Sequence, residues 1–115
     1  MHEAAIAQGI FDTAVRALPA SGVHVRVVRV VAGVFSGCER ESLTMYFAEL
    51  SQGTPLEGAL LEIVRRPAKL TCRACGHQRD YYDDGDFATH CKRCGEANRM
   101  EGGNELYLDS MEVEE

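Results

Sequence analysis

The sequence predicts an α+β fold: two helices on a small three-stranded mixed sheet, with a zinc-ribbon-like subdomain inserted before the last strand. Three observations predict it. Apolar residues recur at helical spacing in two segments, and β-branched residues dominate the stretch after the first of them. Four of the five cysteines then fall between residues 68 and 100, as two Cys-x-x-Cys pairs.

The first helix rests on Ile6, Ile10, Ala14, Ala17 and Leu18, with Phe11 and Val15 widening the stripe. Pro19 and Ala20-Ser21-Gly22 end it. Val23 to Val31 reads as a strand whose alternation is imperfect. Val23, Val25 and Val27 share one face while Val28 and Val30 share the other. Either a bulge shifts the register or part of the strand is covered on both faces. Ser36 and Glu39 have capping-box spacing ahead of the second helix, which Leu43, Phe47 and Leu50 define. Gly53 stands where a C-terminal cap belongs, and Pro55 forbids continuation.

Ala59 to Val64 predicts a second strand, and Pro67 breaks it. Beyond Gly102-Gly103, the residues Leu106, Tyr107, Leu108, Met111 and Val113 predict a last strand that returns to the first sheet. The acidic end, Glu112 to Glu115, is expected to be solvated. The division that follows is a helix–sheet domain of residues 1–67 and 101–115 and a cysteine subdomain of residues 68–100. The second has too few large aliphatic residues to build a core alone.

Composition narrows the function. The 115 residues carry 12 Lys+Arg against 18 Asp+Glu, a formal charge of −6. That balance disfavours non-specific binding to nucleic-acid phosphates or to anionic membranes. No apolar run approaches the roughly 20 residues of a membrane span. Glu3 and Asp12 interrupt the start, and no basic segment precedes an apolar one, so a cytoplasmic location is expected. Five cysteines in a reducing compartment then point to metal rather than disulfides. There is no phosphate-cradling glycine loop, nucleophile elbow or HExxH, so no enzyme is expected. Asp83, Asp84 and Asp86 lack EF-hand spacing and read as a solvated turn.

Cys72-Arg-Ala-Cys75 and Cys91-Lys-Arg-Cys94 are separated by 15 residues. Two intervening residues let both thiolates of one turn reach a tetrahedral ion about 2.3 Å away. Gly76 and Gly95 follow the pairs and permit positive φ, which turns backbone amides toward sulfur. Structural Zn(II) at Cys72, Cys75, Cys91 and Cys94 is the leading reading. A redox CxxC and a catalytic zinc are weaker ones, because four thiolates leave no open position. His77 and His90 are either exposed loop residues or groups that orient the ligands. Cys38 lies outside the pattern and reads as a small core residue.

The chain begins Met1-His2-Glu3. His2 is too large for an aminopeptidase that needs a small second residue, so Met1 is expected to stay. The Met1 amine, the backbone nitrogens of His2 and Glu3 and the His2 ring can share one plane around an ion. All-nitrogen, square-planar coordination suits Ni(II) or Cu(II), but on chemistry alone a single histidine near a terminus more often reads as an exposed residue.

The chain also resembles a family. Met1-His2-Glu3 before an amphipathic helix, Thr54-Pro55-Leu56-Glu57-Gly58-Ala59, the two CxxC pairs, Gly103-Asn104-Glu105-Leu106 and Met111-Glu112-Val113-Glu114 together look like the HypA/HybF hydrogenase nickel-incorporation proteins. The resemblance implies a nickel metallochaperone that helps mature [NiFe]-hydrogenases, in some organisms also urease. It implies transient Ni(II) at His2 with nearby backbone nitrogens, Glu3 as the matching third residue, and zinc at the four cysteines. It also implies the GTPase HypB and the hydrogenase large subunit as partners. The competing reading is a zinc-ribbon adaptor for protein or nucleic acid, with Tyr81 and Tyr82 able to stack on bases. Residues 68–100 hold six Lys/Arg and five Asp/Glu, a poor phosphate stripe, so no nucleic-acid partner is expected.

Overall fold

A computed structural model describes residues 3–19, 22–82 and 89–114. The elements run α1 (Glu3–Arg16), β1 (His24–Gly33), α2 (Arg40–Ser51), β2 (Leu60–Arg66), β3 (Ala68–Cys72), β4 (Gln78–Tyr81), β5 (Asn98–Glu101) and β6 (Leu106–Glu114). They form two three-stranded sheets, ordered β2-β1-β6 and β4-β3-β5. The chain divides into two compact units, one of Met1–Val31, Gly37–Val64 and Tyr107–Glu115, the other of Ala32–Ser36 and Arg65–Leu106.

In the first unit α1 buries Ala7, Ile10 and Ala14, and α2 buries Leu43, Phe47 and Ser51. The spacing of each set puts it on one helix face. Phe11 meets Phe47 edge-on, with centroids 6.3 Å apart and planes at 67°. α2 begins one residue after Glu39, which occupies the N-cap without a side-chain cap bond. The expected Ser36–Glu39 capping box is therefore not formed. The Ser42 hydroxyl instead donates to the Glu39 carboxylate at 3.0 Å, so the pair spaced by three lies inside the helix start. Gly53 has φ +76° just past α2, in the role expected of it.

The mixed character of the sheet follows from its partners. Val25 N–H donates to Pro55 and Val34 N–H to Arg66, both at 2.9 Å, so β1 and β2 advance in the same direction. A parallel pair needs a long crossover, which α2 supplies. β6 runs the other way: His24 faces Glu114 at 3.6 Å, while Gly33 N–H donates to Glu105 at 2.6 Å.

Arg29 ties the three strands together. Its guanidinium reaches Glu62 of β2 at 2.9 Å, and Ser110 and Glu112 of β6 at 3.1 and 3.0 Å. Hydrogen bonds to Glu62 and then Glu112 raise its already high pKa further. Arg26 also reaches Glu112, at 3.9 Å. Arg26 and Arg29 have opposite parity, yet both meet the same carboxylate, so the register shifts between them. The buried side shifts with it, from Val25 to Val28 and Val30. The bulge reading thus describes the middle of β1, and coverage on both faces describes its end, where Val30 to Gly33 are all buried. The acidic end is exposed through Glu114, as expected, and within β6 Glu112 and Glu114 also face basic groups of β1. Glu115 lies outside the described residues.

The second unit is built on β3, which pairs antiparallel with both neighbours, Leu70 lying opposite Arg79 and Met100. Alternation buries Ala68, Leu70 and Cys72. Ala68, Leu70 and Tyr81 form a small core with Val34 against it. The Phe35 ring stacks on Tyr81, centroids 5.8 Å apart. Gly33 and Gly103 are obligatory here, because a side chain at Gly33 would collide with the Gly103 carbonyl. Gly103 also has φ +88° and accepts the Phe35 N–H at 2.6 Å. Asp83, Asp84 and Asp86 lie outside the described residues.

Candidate metal centre

Two similar turns build the centre. The first follows β3: Gly76 N–H donates to the Cys72 carbonyl at 3.1 Å, and Gly76 has φ +77°. Cys72 N–H then donates to the His77 carbonyl at 2.9 Å, closing a tight loop. The second repeats these bonds, from Gly95 to Cys91 at 2.9 Å and from Cys91 to Glu96 at 2.7 Å, with Gly95 at φ +80°. Arg73 N–H donates to Ala97 at 3.0 Å, and Asn98 N–H to Thr89 at 2.9 Å, which joins the turns.

These loops bring together the four cysteines singled out by spacing. Their sulfurs all lie within 4.8 Å of one another. Cys72 and Cys94 are 3.4 Å apart, Cys75 and Cys91 3.7 Å. Four sulfurs about 2.3 Å from a tetrahedral ion are separated by about 3.8 Å, so the donor set fits such an ion. In each turn the first cysteine is buried and the second exposed. Backbone amides point at the buried pair, from Ala74 and Cys75 to Cys72 at 3.4 and 3.3 Å, and from Arg93 to Cys91 at 3.3 Å. Sequence reasoning named the glycines but not these donors, whose signal was the repeated Cys-x-x-Cys-Gly.

The electrostatics follow this asymmetry. Amide donation, first from Cys75, holds the Cys72 thiol down at about 6 despite burial. The Cys94 amide does the same for Cys91, whose thiol is lowered. At Cys94 the Glu96 amide lowers the pKa, but the Cys72 sulfur, burial and the other two sulfurs outweigh it, and the thiol is pushed up to about 12. Four negative sulfurs cannot coexist at this distance without a cation to share.

The other sequence candidates are placed as follows. His90 is exposed, bridges to Ala97 and has its Nδ1 2.9 Å from the Thr89 hydroxyl. His77 is half-buried, and its described role in the turn is the backbone one. Cys38 is half-buried in the first unit, with its thiol pushed up by burial and by Glu3. Glu3 opens α1. Met1 and His2, the expected nickel ligands, lie outside the described residues. Among the described residues no helix is long and apolar enough to cross a membrane.

Fold and centre define the class: an α+β protein with a four-cysteine metal cluster on paired turns. The sequence model of the family described as "Hydrogenase/urease nickel incorporation, metallochaperone, hypA" matches residues 1–113. The chain belongs to that family, the HypA nickel metallochaperones of hydrogenase maturation. It is 36% identical over 117 residues to a hydrogenase maturation factor HypA of Dehalococcoides mccartyi, covering 100% of this chain and 96% of the relative. Another, from Rippkaea orientalis, is 37% identical over 116 residues, covering 100% and 97%. The solution structure of the Ni metallochaperone HypA from Helicobacter pylori shares the fold, with TM-score 0.61 and 22% identity over 98% of this chain and 97% of that one.

Proposed function

We propose that this chain carries Ni(II) at its amino terminus and hands it to the large subunit of a [NiFe]-hydrogenase, with a HypB-type GTPase as partner. Urease is a second recipient in keeping with the family description. The observation that carries the reading is the family match, which starts at residue 1 and runs through the four-cysteine cluster. Met1 supplies an amine, His2 an imidazole, and His2 and Glu3 backbone nitrogens. These ligands suit Ni(II) and exchange readily at a chain terminus. Nickel is cargo, so its site must open. The cysteine centre has the opposite character. We assign it structural Zn(II), which neutralises four crowded thiolates and cross-links two turns whose own core is small. The work takes place in the cytoplasm, where the cysteines stay reduced.

The test is maturation in cells. A strain whose only copy carries His2→Ala is expected to lose most hydrogenase activity and to regain part of it when nickel in the medium is raised. Full activity in unsupplemented medium would contradict the assignment.

A further inference from the structure

Each exposed sulfur of the cluster faces a buried sulfur of the other turn. Cys75 meets Cys91 at 3.7 Å, and Cys94 meets Cys72 at 3.4 Å. The sulfurs also differ in shielding. Cys72 accepts the backbone amides of Ala74 and Cys75, and Cys91 those of Arg93 and Cys94. The Glu96 amide acts on Cys94. Among the described residues no amide is seen to donate to the Cys75 sulfur, whose described partners are the other three cluster sulfurs, with that of Cys91 at 3.7 Å. An N–H donor withdraws charge from a thiolate and lowers its nucleophilicity, and exposure decides which thiolate an oxidant reaches. Cys75 is both exposed and unshielded.

We infer that Cys75 is the site at which a peroxide oxidises the cluster, and that Cys91 resolves the product, so that the first disulfide crosses the two turns. The inference rests on the reading that the four cysteines hold zinc. In the first step the Cys75 thiolate attacks one oxygen of hydrogen peroxide. The O–O bond breaks, leaving the Cys75 sulfenic acid and hydroxide. In the second, the Cys91 thiolate attacks the sulfenic sulfur and expels a second hydroxide. Two thiolates, one peroxide and two protons become one disulfide and two waters. Sulfur loses two electrons and the peroxide gains them. Zinc keeps two of four ligands and dissociates. A second peroxide then joins Cys94 to Cys72 in the same way. Within a turn the alternative is poorer, because the Cys72 sulfur lies against that of Cys94 at 3.4 Å, while the sulfur that lies against Cys75 at 3.7 Å is that of Cys91. Cys38 does not compete, being half-buried in the other unit.

The experiment uses the zinc-loaded wild-type chain, with zinc content measured first. Hydrogen peroxide is added in stoichiometric steps, zinc release is followed with a colorimetric chelator, and thiols are trapped by alkylation. Trypsin cleaves after Arg73, Lys92 and Arg93, so each cluster cysteine lands on its own peptide and every pairing has its own mass. The expected result is Cys75–Cys91 as the first disulfide, appearing in step with loss of the bound zinc, and the same result in Cys38→Ala. A first disulfide within a turn, a disulfide to Cys38, or zinc retained after oxidation overturns the inference. A chain with no zinc before peroxide overturns the metal reading instead, and the order of disulfides still judges the pairing.

Discussion

The Cys72 sulfur lies 3.4 Å from that of Cys94, so the first cysteine of one turn meets the last cysteine of the other. Neither turn alone brings four sulfurs together. Removing one end should therefore undo both. Cys72→Ala and Cys94→Ala are each expected to drop zinc from about one per chain to near zero. X-ray absorption of the wild type should show four sulfurs at about 2.3 Å. A sulfur-free zinc shell would rule the centre out.

Metal removal should act locally. The core of the first unit, with Leu43, Phe47, Val25 and Val28, contains no cysteine ligand. Stripping zinc with a chelator is expected to lower amide-exchange protection in β3, β4 and β5 and to leave that of α1, α2 and the middle of β1 unchanged. Complete loss of far-UV circular dichroism would mean that the metal holds the whole chain.

The thiols give the metal-free protein a stability optimum. Cys72 sits at about 6, below the roughly 8.5 of an ordinary thiol. Its contribution is full above that ordinary value and is lost as pH falls through 6. Cys94, pushed up to about 12, has the reverse sign, contributing below the ordinary value and losing it as pH rises. Unfolding of the second unit should be most resistant near pH 8 to 9, falling on both sides. A melting temperature that rises steadily from pH 7 to 10 would show the assignment to be wrong.

Gly33 offers a test of the backbone. Its missing side chain leaves room for the Gly103 carbonyl, and Gly33 N–H donates to Glu105 at 2.6 Å. Gly33→Ala must push the end of β1 away from the 102–105 segment, so it should cost well over the ~1 kcal/mol of an average substitution. Gly9→Ala, in α1 with open space around it, is the control and should stabilise slightly. Equal denaturation midpoints for the two variants would show that the close approach is unimportant.

Both helices were legible because each carries its own stripe, such as Ile10 with Ala14 or Leu43 with Phe47, and local spacing decides local structure. The cysteine spacing was legible for the same reason. What failed depended on distant partners. Glu112 is expected on an exposed stretch, but spacing along the chain could not show that Arg29, far away in sequence, stands beside it. The β3, β4 and β5 strands are four or five residues long, and their small core draws on Val34 from another part of the chain. Ser36 had the spacing of a cap, but the helix starts after Glu39, and spacing alone does not fix which residue turns the backbone.

Nickel at the amino terminus is testable by calorimetric titration of Ni(II) into untagged, zinc-loaded protein. The wild type is expected to bind one nickel per chain, more weakly as pH falls through the range near 6.5 where imidazole is protonated. His2→Ala is expected to lose that binding while keeping its zinc and its circular dichroism. One extra residue before Met1 should weaken it as well, since the amine becomes a peptide nitrogen. A His2→Ala protein that binds nickel with unchanged stoichiometry and affinity would place the nickel site elsewhere in the chain.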